Sequence, residues 1–217
     1  MTGGRLTYRV NEIFYSLQGE GARAGDASVF VRFSGCNLRC SALTEGFDCD
    51  TEFTSGRAMT AAEIVAEATA LLPDTAPKGS IGVIFTGGEP MLQLDQALVE
   101  LMRGVRQVGE LCLESNGTHV IPVEFALDHV VVSPKTAEHT IRADEAGHAI
   151  HELRYVRRQG MAAPRPRIET AHHHFISPAF QADGSLARED LAWCVQLCKD
   201  HPRWALSMQL HKLWGVR

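Results

Sequence analysis

Polar and apolar residues alternate imperfectly over TYRVNEIFY (residues 7–15) and again over ASVFVRF (27–33). A two-residue period of this kind predicts strands with one buried face. The polar, glycine-bearing run from Ser16 to Asp26 predicts a loop between them, and no period at all is visible from Gly35 to Thr54. Thr60 followed by Glu63 forms a capping box ahead of AEIVAEATALL (62–72), an amphipathic helix ending near Pro73. IGVIF (81–85) is continuously apolar, the pattern of a strand buried on both faces. The rest predicts a helix from Leu94 to Val108, strands at Leu111–Glu114, Val130–Val132, Glu152–Val156 and His174–Ser177, a helix from Leu186 to Lys199, and a last strand from Trp204 to Met208. Alternating strands and helices predict an α/β fold of one domain (1–217), a mostly parallel sheet bent into an incomplete, TIM-like barrel. Ligands of such sheets bind beyond the carboxyl ends of the strands. The segments to inspect are therefore Gly35 onward, Thr86 onward, Glu114 to Asn116, Ser133 to Lys135, Ser177, and the tail after Met208.

Composition narrows the classes. The chain has 217 residues, 45% hydrophobic and 22% charged, which argues against disorder and coiled coil. A net charge of −5 without a dense basic block gives no reason to expect nucleic acid. Arg154, Arg157, Arg158, Arg165 and Arg167 are interleaved with prolines and read as a solvated loop. No signal segment opens the sequence, and no run approaches the ~18 apolar residues of a membrane helix. The expectation is a cytoplasmic protein with reduced thiols, whose six cysteines are ligands or core residues.

Cys36, Cys40 and Cys49 stand in one short stretch, GCNLRCSALTEGFDCDTEF, and Thr86-Gly87-Gly88-Glu89-Pro90 follows downstream. Three thiolates can hold a 4Fe–4S cluster by three irons and leave the fourth open for a small molecule. Adjacent glycines let backbone come close to such a ligand. Together these features point to S-adenosylmethionine bound on an iron–sulfur cluster. Scattered core thiols or a zinc site remain the alternatives, although zinc usually takes two close ligand pairs. Cys194 and Cys198 lie four apart on a helix and Cys112 inside a strand, and all three read as core.

EIFYSLQGEG (12–21), VFVRFSGCNL (29–38), CDTEF (49–53), TGGEPMLQLDQ (86–96), ESNG (114–117), VSPK (132–135) and WALSMQLHK (204–212) carry a nearly end-to-end resemblance. The chain resembles the 7-carboxy-7-deazaguanine synthase family of radical-SAM enzymes. The resemblance implies reductive cleavage of S-adenosylmethionine, hydrogen abstraction from 6-carboxy-5,6,7,8-tetrahydropterin, ring contraction and loss of ammonia, with a magnesium ion as a further cofactor. It implies cluster ligation by Cys36, Cys40 and Cys49, with Thr51 on magnesium. Arg32 falls on the arginine that grips the pterin carboxylate, as a guanidinium fork suits a carboxylate. Leu17, Gln18, Gly19 and Thr86 fall on further substrate contacts, and Glu20 and His211 join the same pocket. Asp48, Asp50, Gly87, Gly88, Glu89, Glu114, Asn116, Ser133, Pro134, Lys135 and Ser177 make up the cofactor set. Arg217 takes the place of the family's last residue, whose main-chain carboxylate contacts substrate. A homodimer and an electron donor such as flavodoxin or ferredoxin are also implied.

Three departures stand out. The cysteines are spaced Cys-x3-Cys-x8-Cys rather than Cys-x3-Cys-x2-Cys, which reads as an insertion between the second and third ligands. Eight residues span up to roughly 30 Å when extended, so reach allows all three to ligate. Ser-Pro-Ala-Phe (177–180) replaces the common Gln-Pro-Met-Asp, and Arg217 stands where proline is known. Two other functions stay open: an activase that makes a radical on a partner protein, and a non-catalytic metal-binding domain on the same scaffold.

Overall fold

The computed structural model describes residues 6–49, 51–135, 140–181 and 183–217. Its strands are β1 (Tyr8–Leu17), β2 (Ala27–Phe33), β3 (Arg57–Met59), β4 (Ile81–Gly87), β5 (Val108–Ser115), β6 (His129–Val132), β7 (Glu152–Arg157), β8 (His173–Pro178) and β9 (Ala205–Leu206). Its helices are α1 (Ala61–Ala70), α2 (Gln96–Arg103), α3 (Arg188–Asp200) and α4 (Leu210–Trp214). The strands form one open sheet in the order β3-β1-β2-β4-β5-β6-β7-β8-β9. Only β1 runs antiparallel to its neighbours β2 and β3, and every pairing from β2 through β9 is parallel. The expected mostly parallel, incomplete barrel is the fold observed.

Period-two alternation assigns the two faces of this sheet. Val29, Val31 and Phe33 of β2, Val83 and Phe85 of β4, Leu111 and Leu113 of β5, and Leu153 and Tyr155 of β7 enter the main core. There they join Ile64 and Ala68 of α1, Leu98, Val99 and Met102 of α2, and Cys194 and Leu197 of α3. The intervening residues form a second, smaller cluster of Phe14, Phe30, Ile84 and Cys112. Phe14 and Phe30 stack with centroids 4.9 Å apart. Two residues further along the same face come Arg32, Thr86, Glu114 and, on β7, Arg154. Arg32, Thr86 and Glu114 thus bring polar groups to the concave face toward the carboxyl ends of their strands.

Several boundaries differ from the sequence expectation. The helix expected over Leu94–Val108 spans only Gln96–Arg103. Asp95 caps it by accepting from the Leu98 amide (3.1 Å), and the chain leaves the helix at Gly104 so that Val108 can open β5. The strand expected at Trp204–Met208 contracts to Ala205–Leu206. Beyond it Ser207 accepts from the Gly21 amide (2.9 Å) and the chain turns into α4. Neither β3 nor α4 was anticipated; with three and five residues they are too short to display a period. The loop from Gly35 to Thr54 contains no strand or helix among its described residues, as expected.

Candidate active site

The loops and turns after the strands enclose a cavity of about 400 Å³, lined by residues from β1, β2, β4, β5, β6, β7, β8, α4 and the cysteine loop. One wall is built of charge. Arg154 on β7 is buried and donates through Nη1 to Glu20 Oε2 (2.6 Å) and Glu114 Oε1 (3.4 Å), and through Nη2 to Glu152 Oε2 (3.0 Å). Gln18 donates to Glu114 Oε1 (3.0 Å) and Thr86 to Glu114 Oε2 (3.1 Å). Behind this layer Glu152 Oε1 pairs with His129 Nε2 (2.8 Å) and accepts from the Ala22 amide (3.0 Å). Burial alone would raise the Glu152 pKa, but the bond to His129 and the Arg154 charge prevail and hold it at about 2. The same three carboxylates overcome the desolvation of Arg154 and push its pKa up. Arg154 therefore corrects the reading of the basic cluster as a solvated loop: two residues after Glu152 on a strand, its side chain joins the concave face.

A second basic feature lies where β1 meets β2. Arg32 donates to Glu12 Oε1 (2.9 Å), and Arg217 approaches Glu12 Oε2 at 3.3 Å. The two guanidinium groups lie 5.7 and 5.8 Å from the centroid of the Phe14 ring. Ser16 Oγ donates to the Arg217 carbonyl (2.7 Å), so the tail folds back onto β1 beside the cavity. Leu210 N bonds the Gly19 carbonyl (2.9 Å), which seats α4 and His211 against the turn after β1. A side chain on Gly19 would overlap His211.

At the other end stand Cys36, Cys40 and Cys49, all lining the cavity. Cys36 and Cys40 are partly buried and Cys49 is exposed. Burial raises the Cys36 pKa and lifts that of Cys40 to about 11; both also feel Cys49, which raises them, and Lys135, which lowers them. Among the described residues no three His, Cys, Asp or Glu side chains gather around one point closely enough for a single ion. A cluster makes a different demand, one thiolate per iron, and a cavity edge bearing three thiols and a lysine fits it. Metal binding there would replace the thiol protons. Gly88 secures the close packing beside this end, because a Cβ would overlap the Gly35 carbonyl and crowd Cys36. The glycine pair thus serves contact between the β4 turn and the root of the cysteine loop as well as openness toward the cavity.

The family model described as "4Fe-4S single cluster domain" matches residues 17–129. A 7-carboxy-7-deazaguanine synthase from Bradyrhizobium diazoefficiens is 38% identical, with 98% of this chain and all of that protein covered. Its counterpart from Bacteroides thetaiotaomicron is 36% identical over 96% of this chain and 98% of that protein. The chain belongs to the 7-carboxy-7-deazaguanine synthase family. QueE from Escherichia coli shares the fold, with a TM-score of 0.64, 20% identity and 93% of each chain covered. No helix among the described residues is long and apolar enough to cross a membrane.

For a 7-carboxy-7-deazaguanine synthase family chain, the placement of the expected residues is mostly convergent. Leu17, Gln18, Gly19, Glu20, Arg32, Asp48, Thr51, Thr86, Gly87, Gly88, Glu114, Asn116, Ser133, Lys135, Ser177, His211 and Arg217 all line the one cavity. Glu89 does not: fully buried behind the wall, its carboxylate accepts from Met91 N (3.0 Å), Ser115 Oγ (2.9 Å) and Asn116 N (2.7 Å), stapling the turn after β4 to the turn after β5. Pro134 lies outside the lining as well, and Asp50 falls outside the described residues. Glu12, Phe14 and Arg154 are among the lining residues that escaped the sequence reading. Their signal was parity, since each lies two residues along a strand from another concave-face residue.

Proposed function

We propose that this chain converts 6-carboxy-5,6,7,8-tetrahydropterin to 7-carboxy-7-deazaguanine with loss of ammonia, a carbon–nitrogen lyase step in deazapurine (queuosine-type) biosynthesis. The observation that carries this reading is the two-ended cavity, with three thiols at one end and a carboxylate–guanidinium wall at the other, in a chain of this family. Cys36, Cys40 and Cys49 would hold a 4Fe–4S cluster. When bound, that cluster supplies the electron that cleaves S-adenosylmethionine and so starts hydrogen abstraction from the pterin. Gly87, Gly88, Asn116, Ser133, Lys135 and Ser177 would bound the S-adenosylmethionine side, with Glu89 fixing the turn that carries the glycines.

The protein's own residues then bind, orient and shield. Arg32 offers its guanidinium to the pterin carboxylate and shares that charge with Glu12. Glu20 and Glu114 accept hydrogen bonds from the amino and ring N–H groups of the pterin; the bonds of Glu114 to Gln18, Thr86 and Arg154 favour this substrate role over the cofactor role expected from the sequence. Thr51 would present a hard oxygen to a magnesium ion, which would help to neutralise the substrate carboxylate. His211 closes the pocket from α4. A flavodoxin or ferredoxin as donor, a homodimer and a cytoplasmic site complete the proposal.

The test is an anaerobic reaction of cluster-loaded protein with 6-carboxy-tetrahydropterin, S-adenosylmethionine, magnesium and dithionite. Formation of 7-carboxy-7-deazaguanine and ammonia is the expected result. Cleavage of S-adenosylmethionine without that product would overturn the assignment.

A further inference from the structure

We propose that Arg154 is the positioning residue that sets Glu20 and Glu114 to receive the donor edge of the substrate, with Glu152 and His129 as its brace. This inference rests on the pterin reading above. Arg154 is the point where three carboxylates from three places in the chain meet: Glu20 from the turn after β1, Glu114 from β5 and Glu152 from β7 itself. Its side chain is 7% exposed and that of Glu152 is 1% exposed, so neither is shared with bulk water. Glu152 is tied on its far side to His129 of β6, whose ring stacks on His151 at 5.0 Å. The fork is therefore held from below and spends Nη1 on the two carboxylates above.

That geometry has a consequence for recognition. A pterin presents adjacent N–H donors, and two carboxylates side by side would accept them, but like charges so close repel each other. Arg154 bridges them and fixes the oxygen that each turns away from the ligand: Oε2 of Glu20 and Oε1 of Glu114. Oε1 of Glu20 is left without a protein partner among the described residues. Arg154 Nε is buried and likewise has no partner among them. A lysine could supply the charge, but its compact ammonium cannot hold three carboxylates in a fixed plane.

The experiment is titration of cluster-loaded protein with 6-carboxy-tetrahydropterin and, separately, with S-adenosylmethionine, for wild type, Arg154→Gln and Arg154→Lys. Arg154→Gln should weaken binding by roughly 10–100-fold, the loss expected for a charge-assisted hydrogen bond. The loss should appear in pterin affinity and not in S-adenosylmethionine affinity, because Arg154 acts through Glu20 and Glu114. Arg154→Lys should recover only part of that loss, since it restores the charge without the fork, and iron content should match wild type in both. Wild type that fails to bind the pterin would refute the pterin reading and this role with it. Wild type that binds while Arg154→Gln binds equally well would refute the role alone. Should Arg154→Gln not fold, wild-type affinity in Arg154→Lys overturns it.

Discussion

The two ends of the cavity are built in opposite ways. At the carboxylate end every side chain springs from a strand or the turn after it, and the contacts interlock: Arg154 with Glu20, Glu114 and Glu152, then Glu152 with His129. At the cysteine end three thiols share one irregular segment whose described bonds are mainly local, such as Ser41 N to Glu45 Oε2 (2.7 Å) and Ala42 N to Asp48 Oδ1 (2.9 Å). Leu43 at its tip is 98% exposed. A tie to the barrel comes from Arg158, which donates to the Gly46 carbonyl (2.9 Å), and Phe47 is buried beside it. The strand-borne wall owes its geometry to the sheet and the core beneath it. On the proposed function, the cysteine loop would gain its strongest constraint from ligation, since metal-binding free energy would act there as folding free energy.

Breaking the cysteine end should have the largest effect. Changing Cys36, Cys40 or Cys49 to Ala should remove most of the bound iron and the brown absorbance, while the same change at Cys112, Cys194 or Cys198 should not. Iron analysis after anaerobic reconstitution reads this directly, and full iron in Cys40→Ala would remove Cys40 from the ligand set. At the substrate end, Arg32→Ala should weaken pterin binding by roughly 10–100-fold, the loss of one charge-assisted contact, with iron content unchanged. Unchanged affinity would mean that the carboxylate is gripped elsewhere.

A third change separates the ends by stability. Glu152 has its pKa depressed from 4.5 to about 2 in the fold. Its contribution is therefore complete above pH ~4.5 and is lost as the pH falls toward ~2, on the order of 3 kcal/mol. Denaturant melts between those pH values should show this slope in wild type and lose it in Glu152→Gln. An unchanged slope would assign acid sensitivity to other carboxylates. The smallest effect is expected at Thr51, where Ala should shift magnesium dependence by a few-fold and leave the iron in place. Identical magnesium titrations would remove Thr51 from that role.

The same contrast explains what the sequence disclosed. The mostly parallel sheet followed from the alternation of strands and helices, and the strands themselves from periodicity, because Val29, Val31, Val83, Phe85, Leu111 and Leu113 write the core face in every second position. Thr86, Glu114 and Ser133 were found by standing just past or at those ends. Arg154 was missed because its neighbours Arg157 and Arg158 and the later prolines suggested a loop, although Leu153 and Tyr155 already marked a strand. Glu89 looked like a cavity residue by its place in the Gly-Gly-Glu-Pro run, but a buried carboxylate that accepts two backbone amides and a serine hydroxyl acts as a staple, which spacing alone does not reveal. Short elements such as β3 and α4 leave no period to read. The cysteine loop suggested a chemistry through its three thiols but offered no period from which its structure could be read.

Hydrogen exchange of the apo protein against the iron- and sulfide-reconstituted protein tests this difference most directly. The account predicts slowed exchange across residues 36–54 on reconstitution, with little change in β5 and β7, whose contacts are already complete. Equal protection of residues 36–54 in the two forms, or a comparable gain in β5 and β7, would contradict it.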